Sequence, residues 1–179
     1  MSALAIDEIV ARPEFGSGLL ARLQVVRAED TLLALPDLEP RREPLGELVL
    51  EAGLLTPSDL EQALELAADR RRRLGEVLIE QQYVTQDDLV RLLGEQRGMP
   101  YLDLSRMQPD PAAVRLLPAT TARIFRTLPV GFARGLPVVA VADPTDELAI
   151  ARARSFVEDA RFVASSDREI LARLEALGL

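Results

Sequence analysis

The sequence predicts an α+β chain in which tandem helix–turn–helix repeats precede a small α/β sandwich with a short, mostly antiparallel sheet. Three observations carry this expectation. The segment PLGELVLEAGLLTPSDLEQAL, starting at Pro44, recurs without a gap as RLGEVLIEQQYVTQDDLVRLL, starting at Arg73, an offset of 29 residues. Helical periodicity gives way to short apolar runs after Gly98. Leu136 to Ala142 (LPVVAVA) is apolar on both faces, as a central strand covered on two sides is.

The elements follow in order. Residues 1–43 form an N-terminal extension. Within it, Gly16 to Leu35 falls in register with the repeat as a candidate degenerate third copy, and Pro36 to Glu43 reads as a linker. Residues 44–98 form the tandem repeat. Leu45, Leu48, Val49 and Ala52 have helical spacing, so the first helices span Leu45 to Ala52 and Leu74 to Gln81. Gly53 suits a left-handed C-terminal cap. Thr56-Pro57-Ser58-Asp59 is a helix start, because the hydroxyl can accept from an orphan amide and Pro fits the first helical position. Thr85-Gln86-Asp87-Asp88 repeats that logic. The second helices run from Pro57 to Arg70 and from Gln86 to Gln96.

Residues 99–179 form the α+β part. Tyr101 to Leu104 is a short strand candidate, and Ala112 to Leu117 and Ala119 to Phe125 are short helices divided by Pro118. Thr127 to Val130 and Leu136 to Ala142 make a hairpin across a Gly131–Gly135 turn. A helix at Glu147 to Phe156, a strand at Arg161 to Ala164 and a helix at Asp167 to Leu177 complete the chain.

Composition removes most chemistry. The 179 residues include no Cys and no His, which excludes disulfides, Cys/His metal sites and imidazole catalysis. All 21 basic residues are Arg, so a Walker A lysine and Schiff-base chemistry are absent. A net charge of -8 and 4% aromatics argue against nucleic acid as a partner. No apolar run approaches the ~18 residues of a spanning helix, and the N-terminus lacks signal-peptide character; the expectation is a cytoplasmic, non-membrane-spanning, non-catalytic protein. Asp143, Asp146 and Glu147 read as turn and cap residues rather than a metal or acid–base group.

The duplicated pattern R-L-G-x-x-L-L-x-x-G-L-L-x-x-x-x-L-x-x-x-L-x-x-Q, with its five-residue spacer, resembles the MshEN domain (GspE N-terminal domain) family. This is the N-terminal domain of type II secretion and type IV pilus assembly ATPases. GMPYLDL, LLPATTARIF and VVAVADPTDELAI extend the resemblance over Pro44 to Leu179. It implies a site for cyclic di-GMP in which the Arg and Gln of each motif hydrogen-bond the ligand and the Leu-Gly positions contact it. Carried over, the second motif supplies Arg73, Leu74, Gly75, Leu78, Ile79, Leu89, Leu93 and Gln96. The first supplies Leu45, Gly46, Val49, Leu50, Leu60 and Leu64, but has Pro44 and Ala67 where the pattern has Arg and Gln. Gln82 replaces a pattern glycine. Arg41, Arg42 and Arg70 to Arg72 are candidate substitutes for the missing cation. The resemblance also implies protein partners, either the secretion or pilus ATPase motor or an inner-membrane assembly protein, and no cofactor beyond the ligand.

The residues alone leave a blander reading open. Leu at these spacings also serves as ordinary repeat core, and Arg70 to Arg73 also suits a solvated helix end. Two functions follow: a regulatory docking domain that binds cyclic di-GMP, or a degenerate member that acts as a protein–protein adaptor without nucleotide.

Overall fold

Two threonines set the frame of the repeat. Thr56 Oγ1 accepts from the Asp59 amide at 3.2 Å while Asp59 Oδ2 accepts from the Thr56 amide at 3.2 Å. Thr85 and Asp88 reproduce both bonds at 3.1 Å. Each box satisfies two orphan amides and contributes about 1 kcal/mol to starting its helix. In this computed structural model, which describes Leu32, residues 35–105 and residues 107–179, the repeat is four helices: α1 (Leu45–Glu51), α2 (Pro57–Arg70), α3 (Leu74–Glu80) and α4 (Gln86–Gln96). The candidate third copy in Gly16 to Leu35 lies, Leu32 and Leu35 apart, outside the described residues. Gly53 takes the expected left-handed cap at φ 69°, and Gln82 takes its place in the second copy at φ 59°.

The copies pack crosswise. Helix α1 lies against α4, α2 against α3, and α1 also meets α3. Equivalent positions are buried together in one core: Leu48 with Val77, Val49 with Leu78, Leu55 with Val84, and Ala63 with Leu92. A helical hairpin of this size cannot bury its apolar face alone, so each copy covers the other.

The second part is a three-stranded sheet in the order β1 (Thr127–Ala133), β2 (Leu136–Val141) and β3 (Arg161–Ala164). β1 and β2 form an antiparallel hairpin that turns through Arg134 and Gly135 at φ 51° and 81°. β2 and β3 pair in parallel, so the sheet is mixed, with one pairing of each kind. The parallel pairing follows from the intervening helix α7 (Glu147–Arg154), which returns the chain in its original direction. β2 is central, as its pattern requires. Val138 and Ala140 enter one core beside Leu128, Ile170 and Leu174, and Val139 and Val141 enter another beside Ala153 and Phe162. Around the sheet stand α5 (Pro111–Val114), α6 (Ala119–Phe125) and α8 (Asp167–Ala176). Helix α5 stops short of the expected Leu117 because the approach to Pro118 disfavours helical backbone. Tyr101, expected in a strand, makes a single parallel bridge to Ala164.

Two features join the repeat to the sheet. Helix α4 docks through Val90, buried with Tyr101 and Ala164, and the Arg91 guanidinium lies 3.6 Å above the Tyr101 ring. Gly94 allows the approach, because a methyl there would stand 2.8 Å from Ala164 Cβ and 2.8 Å from the Met99 carbonyl oxygen. The segment from Pro36 to Glu43, expected as a linker, is instead, with Leu35 before it, a strap. Leu35 is buried in the sheet core, and Asp37 pairs with Arg134 and Arg161. At its other end Arg41 reaches Glu95, Glu51 and Glu43, and its amide donates to the Gln96 carbonyl at 3.1 Å. Glu95, first, and then Glu51 hold the Arg41 guanidinium further above its ordinary range.

Candidate functional site: an apolar cradle between the repeats

The Leu-Gly segments of the two copies converge. A methyl on Gly46 would stand 3.4 Å from Leu60 of its own copy and 3.8 Å from Leu74 of the other; one on Gly75 would stand 3.0 Å from Leu89 and 3.6 Å from Leu45. Each glycine is therefore roofed by the second helix of its own copy and by the leucine of its counterpart, as a local twofold requires. Neither glycine has positive φ, so what selects it is close packing and not backbone freedom.

Arg73 apart, the other thirteen carried-over positions fall into three groups by burial. Val49, Gly75, Leu78 and Leu89 are buried, the first, third and fourth of them in the repeat core. Leu45, Gly46, Leu50, Leu60, Leu74, Ile79, Leu93 and Gln96 are half-buried, and Leu64 is 49% exposed. Leu45, Leu50, Leu60, Leu74, Ile79 and Leu93 pack against the buried core of the repeat and stay partly open to solvent.

The polar rim is sparse. Arg73 is the N-cap residue of α3, and its side chain is 77% exposed. Its Nη1 lies 3.9 Å from Asp143 Oδ2, too long for a hydrogen bond and well screened. Asp143 Oδ1 is occupied in the expected turn, accepting from the amide and hydroxyl of Thr145. The Gln96 amide donates to the Glu43 carbonyl at 2.8 Å, next to Pro44. Of the candidate substitutes, Arg70 and Arg72 both clasp Glu80, and Arg72 also holds Glu76 at 3.0 Å. Glu76 is the main cause of the rise in the Arg72 pKa. Arg41 is committed to the strap.

Crosswise packing also decides which polar groups are neighbours. Gln96, at the end of α4, sits beside the start of α1, where Pro44 replaces Arg. Arg73, at the start of α3, follows the end of α2, where Ala67 replaces Gln. The two survivors therefore lie one on each side of the local twofold, so each side keeps one polar group of two.

Beyond Arg73, a cleft of about 690 Å³ opens between the starts of α4 and α8, lined by Thr85, Asp87, Arg126, Asp143, Asp167 and Arg168 among others. Its charges largely oppose each other, with Arg126 3.4 Å from Asp167. Among the described residues no cluster of carboxylates is placed to hold a metal ion, and no helix is long and apolar enough to cross a membrane.

The MshEN domain family model matches residues 97–178. A solved structure of MshE with cyclic di-GMP (cdg) superposes with a TM-score of 0.67 at 32% identity, covering 75% of this chain and 99% of that one. That match extends beyond the segment covered by the family model and so takes in part of the repeat. The chain belongs to the MshEN domain family. This MshEN domain is also 33% identical over 109 residues to the type IV pilus assembly ATPase PilB of Thermus thermophilus, covering 60% of the chain but 12% of that ATPase. The N-terminal domain of XpsE shares the fold, with a TM-score of 0.55 at 24% identity.

Sequence reasoning missed the strap and the docking face of α4. The latter had a signal. Val90 and Gly94 stand where the first copy has Glu61 and Glu65, an apolar and small departure from a pattern that otherwise repeats.

Proposed function

We propose that this MshEN domain is a non-catalytic regulatory and docking module of a type IV pilus or type II secretion ATPase, and that its cradle binds cyclic di-GMP. The observation that carries this reading is the convergence of both Leu-Gly segments on one another, with Arg73 opening the second of them, 77% exposed and held only by a 3.9 Å ion pair to Asp143. A guanidinium there can offer its planar fork to phosphate or to the guanine O6/N7 edge. The MshE structure with cyclic di-GMP supports it. With one polar group missing on each side, at about 1–3 kcal/mol per charge-assisted bond, affinity falls by orders of magnitude relative to a complete site. Binding in the high micromolar range is expected in isothermal titration, with a loss of about tenfold or more in Arg73→Ala. No heat and no protection at high micromolar ligand would end this reading. The ATPase motor or an inner-membrane assembly protein is the partner this module would address, in the cytoplasm.

A second reading, an adaptor without nucleotide, is favoured by the engagement of Gln96 with the Glu43 carbonyl and of Arg41, Arg70 and Arg72 in ion pairs. Partner capture that needs no nucleotide and is unchanged by Arg73→Ala would establish it over the first.

A further inference from the structure

The outer faces of the two repeats have diverged in opposite directions. On α4, Val90, Arg91 and Gly94 form the internal joint with the sheet, and Arg97 reaches Glu147 at 3.5 Å. At the equivalent positions α2 carries Glu61, Gln62, Glu65 and Ala68, all exposed, with Asp69 after them. Glu61, Glu65 and Asp69 stand four residues apart, so like charges line up along one row of the helix and oppose its folding. None of the three pairs with another described residue. Leu64 stands out of the same face, half exposed.

The chain also carries a surface of the opposite character. Helices α6 and α7 pack on each other and present Ile124 and Leu148, 72% and 67% exposed, the most exposed large hydrophobics among the described residues. Arg123 and Arg152 are exposed on the same two helices, and neither pairs with a described carboxylate; Arg152 lies 5.2 Å from the Phe156 ring. In a chain of net charge -8 this is a basic, apolar patch with no partner among the described residues.

We propose that α2 of one copy docks on the α6–α7 face of a second copy. Glu61 and Glu65 would meet Arg123 and Arg152 around a contact of Leu64 and Ala68 with Ile124 and Leu148. The repeat would then use the same helix face twice, once within the chain through α4 and once between chains through α2. The two patches are different surfaces, so the contact is heterologous, and each copy can bind one neighbour on each side. An anionic membrane would also attract the arginines, but the acidic row and the overall negative charge oppose it.

Sedimentation velocity on the full chain tests this. Wild type is expected to show a weight-average mass rising with concentration up to the order of 100 μM in low salt, and to lose that rise at about 0.5 M salt, where surface charges are screened. Glu61→Arg/Glu65→Arg and Arg123→Glu/Arg152→Glu should each be monomeric alone, and an equimolar mixture of the two should associate again, because each then offers the other a complementary face. Circular dichroism checks folding, and Ile124→Ser/Leu148→Ser, also expected to be monomeric, replaces any charge variant that does not fold. A wild type that stays monomeric throughout overturns the proposal, as does a mixture that fails to associate. Retention of wild type but not Arg123→Glu/Arg152→Glu by phosphatidylserine vesicles, with no self-association, reassigns the face to lipid. All of these variants keep Arg73 and Gln96, so this test is separate from that of the cradle.

Discussion

Gln82 is the clearest residue at which sequence pattern and backbone disagree. The first copy ends its short helix with Gly53 at φ 69°, and the second asks a side chain to adopt φ 59°. For an L-residue the left-handed region costs about 1–2 kcal/mol. Gln82 is exposed, and its φ is enforced by the Tyr83 amide bonding to the Leu78 carbonyl at 2.9 Å, which closes the cap. Gln82→Gly is therefore expected to stabilise the fold by about 1 kcal/mol, read as a higher midpoint in chemical denaturation with an unchanged slope. The position was legible from the repeat alone, because the offset maps it onto Gly53. Gln96 was not legible in the same way. Its bond to Glu43 spans the repeat, and nothing local distinguishes an amide that faces a ligand from one that faces a carbonyl.

The elements of the repeat were readable almost to the residue, because each begins with chemistry that acts locally. Thr56 and Thr85 start α2 and α4 where their hydroxyls and the third-residue carboxylates predict. The packing between elements was readable only in part. The Leu-Gly pair repeats in sequence, yet its two glycines meet different clearances, 3.4 Å to Leu60 against 3.0 Å to Leu89. Gly46→Ala should accordingly be near neutral, helix propensity offsetting a contact of ordinary length. Gly75→Ala should cost about 1 kcal/mol as Leu89 is displaced in a filled core. Thermal denaturation of the two variants side by side checks the difference, and equal effects would mean that the two copies are equally tight.

At the scale of the whole molecule, the sequence announced a repeat followed by a sheet but not how they are fastened. The strap depends on contacts between residues far apart in the chain, such as Arg41 with Glu95 and Asp37 with Arg161. The parallel pairing of β3 likewise depends on where a crossover helix returns the chain. Docking of α4 rests on Gly94, where an added methyl would strike both Ala164 and the Met99 backbone at 2.8 Å. Gly94→Ala is expected to cost about 1–3 kcal/mol and to raise hydrogen exchange at the Tyr101–Ala164 bridge before the repeat core opens. The larger claim is that the two hairpins of helices form one ligand bed with half of its polar rim removed. Pro44 is exposed at φ -59° and ψ 152°, a backbone that arginine adopts freely, and it lies beside Gln96 on the side that lacks a cation. Isothermal titration of cyclic di-GMP into Pro44→Arg is the most direct measurement: restoring one charge-assisted contact should tighten binding by about 10- to 100-fold over wild type. An affinity that is unchanged, or still undetectable, with the fold intact would contradict a shared cradle and leave the repeat as scaffold.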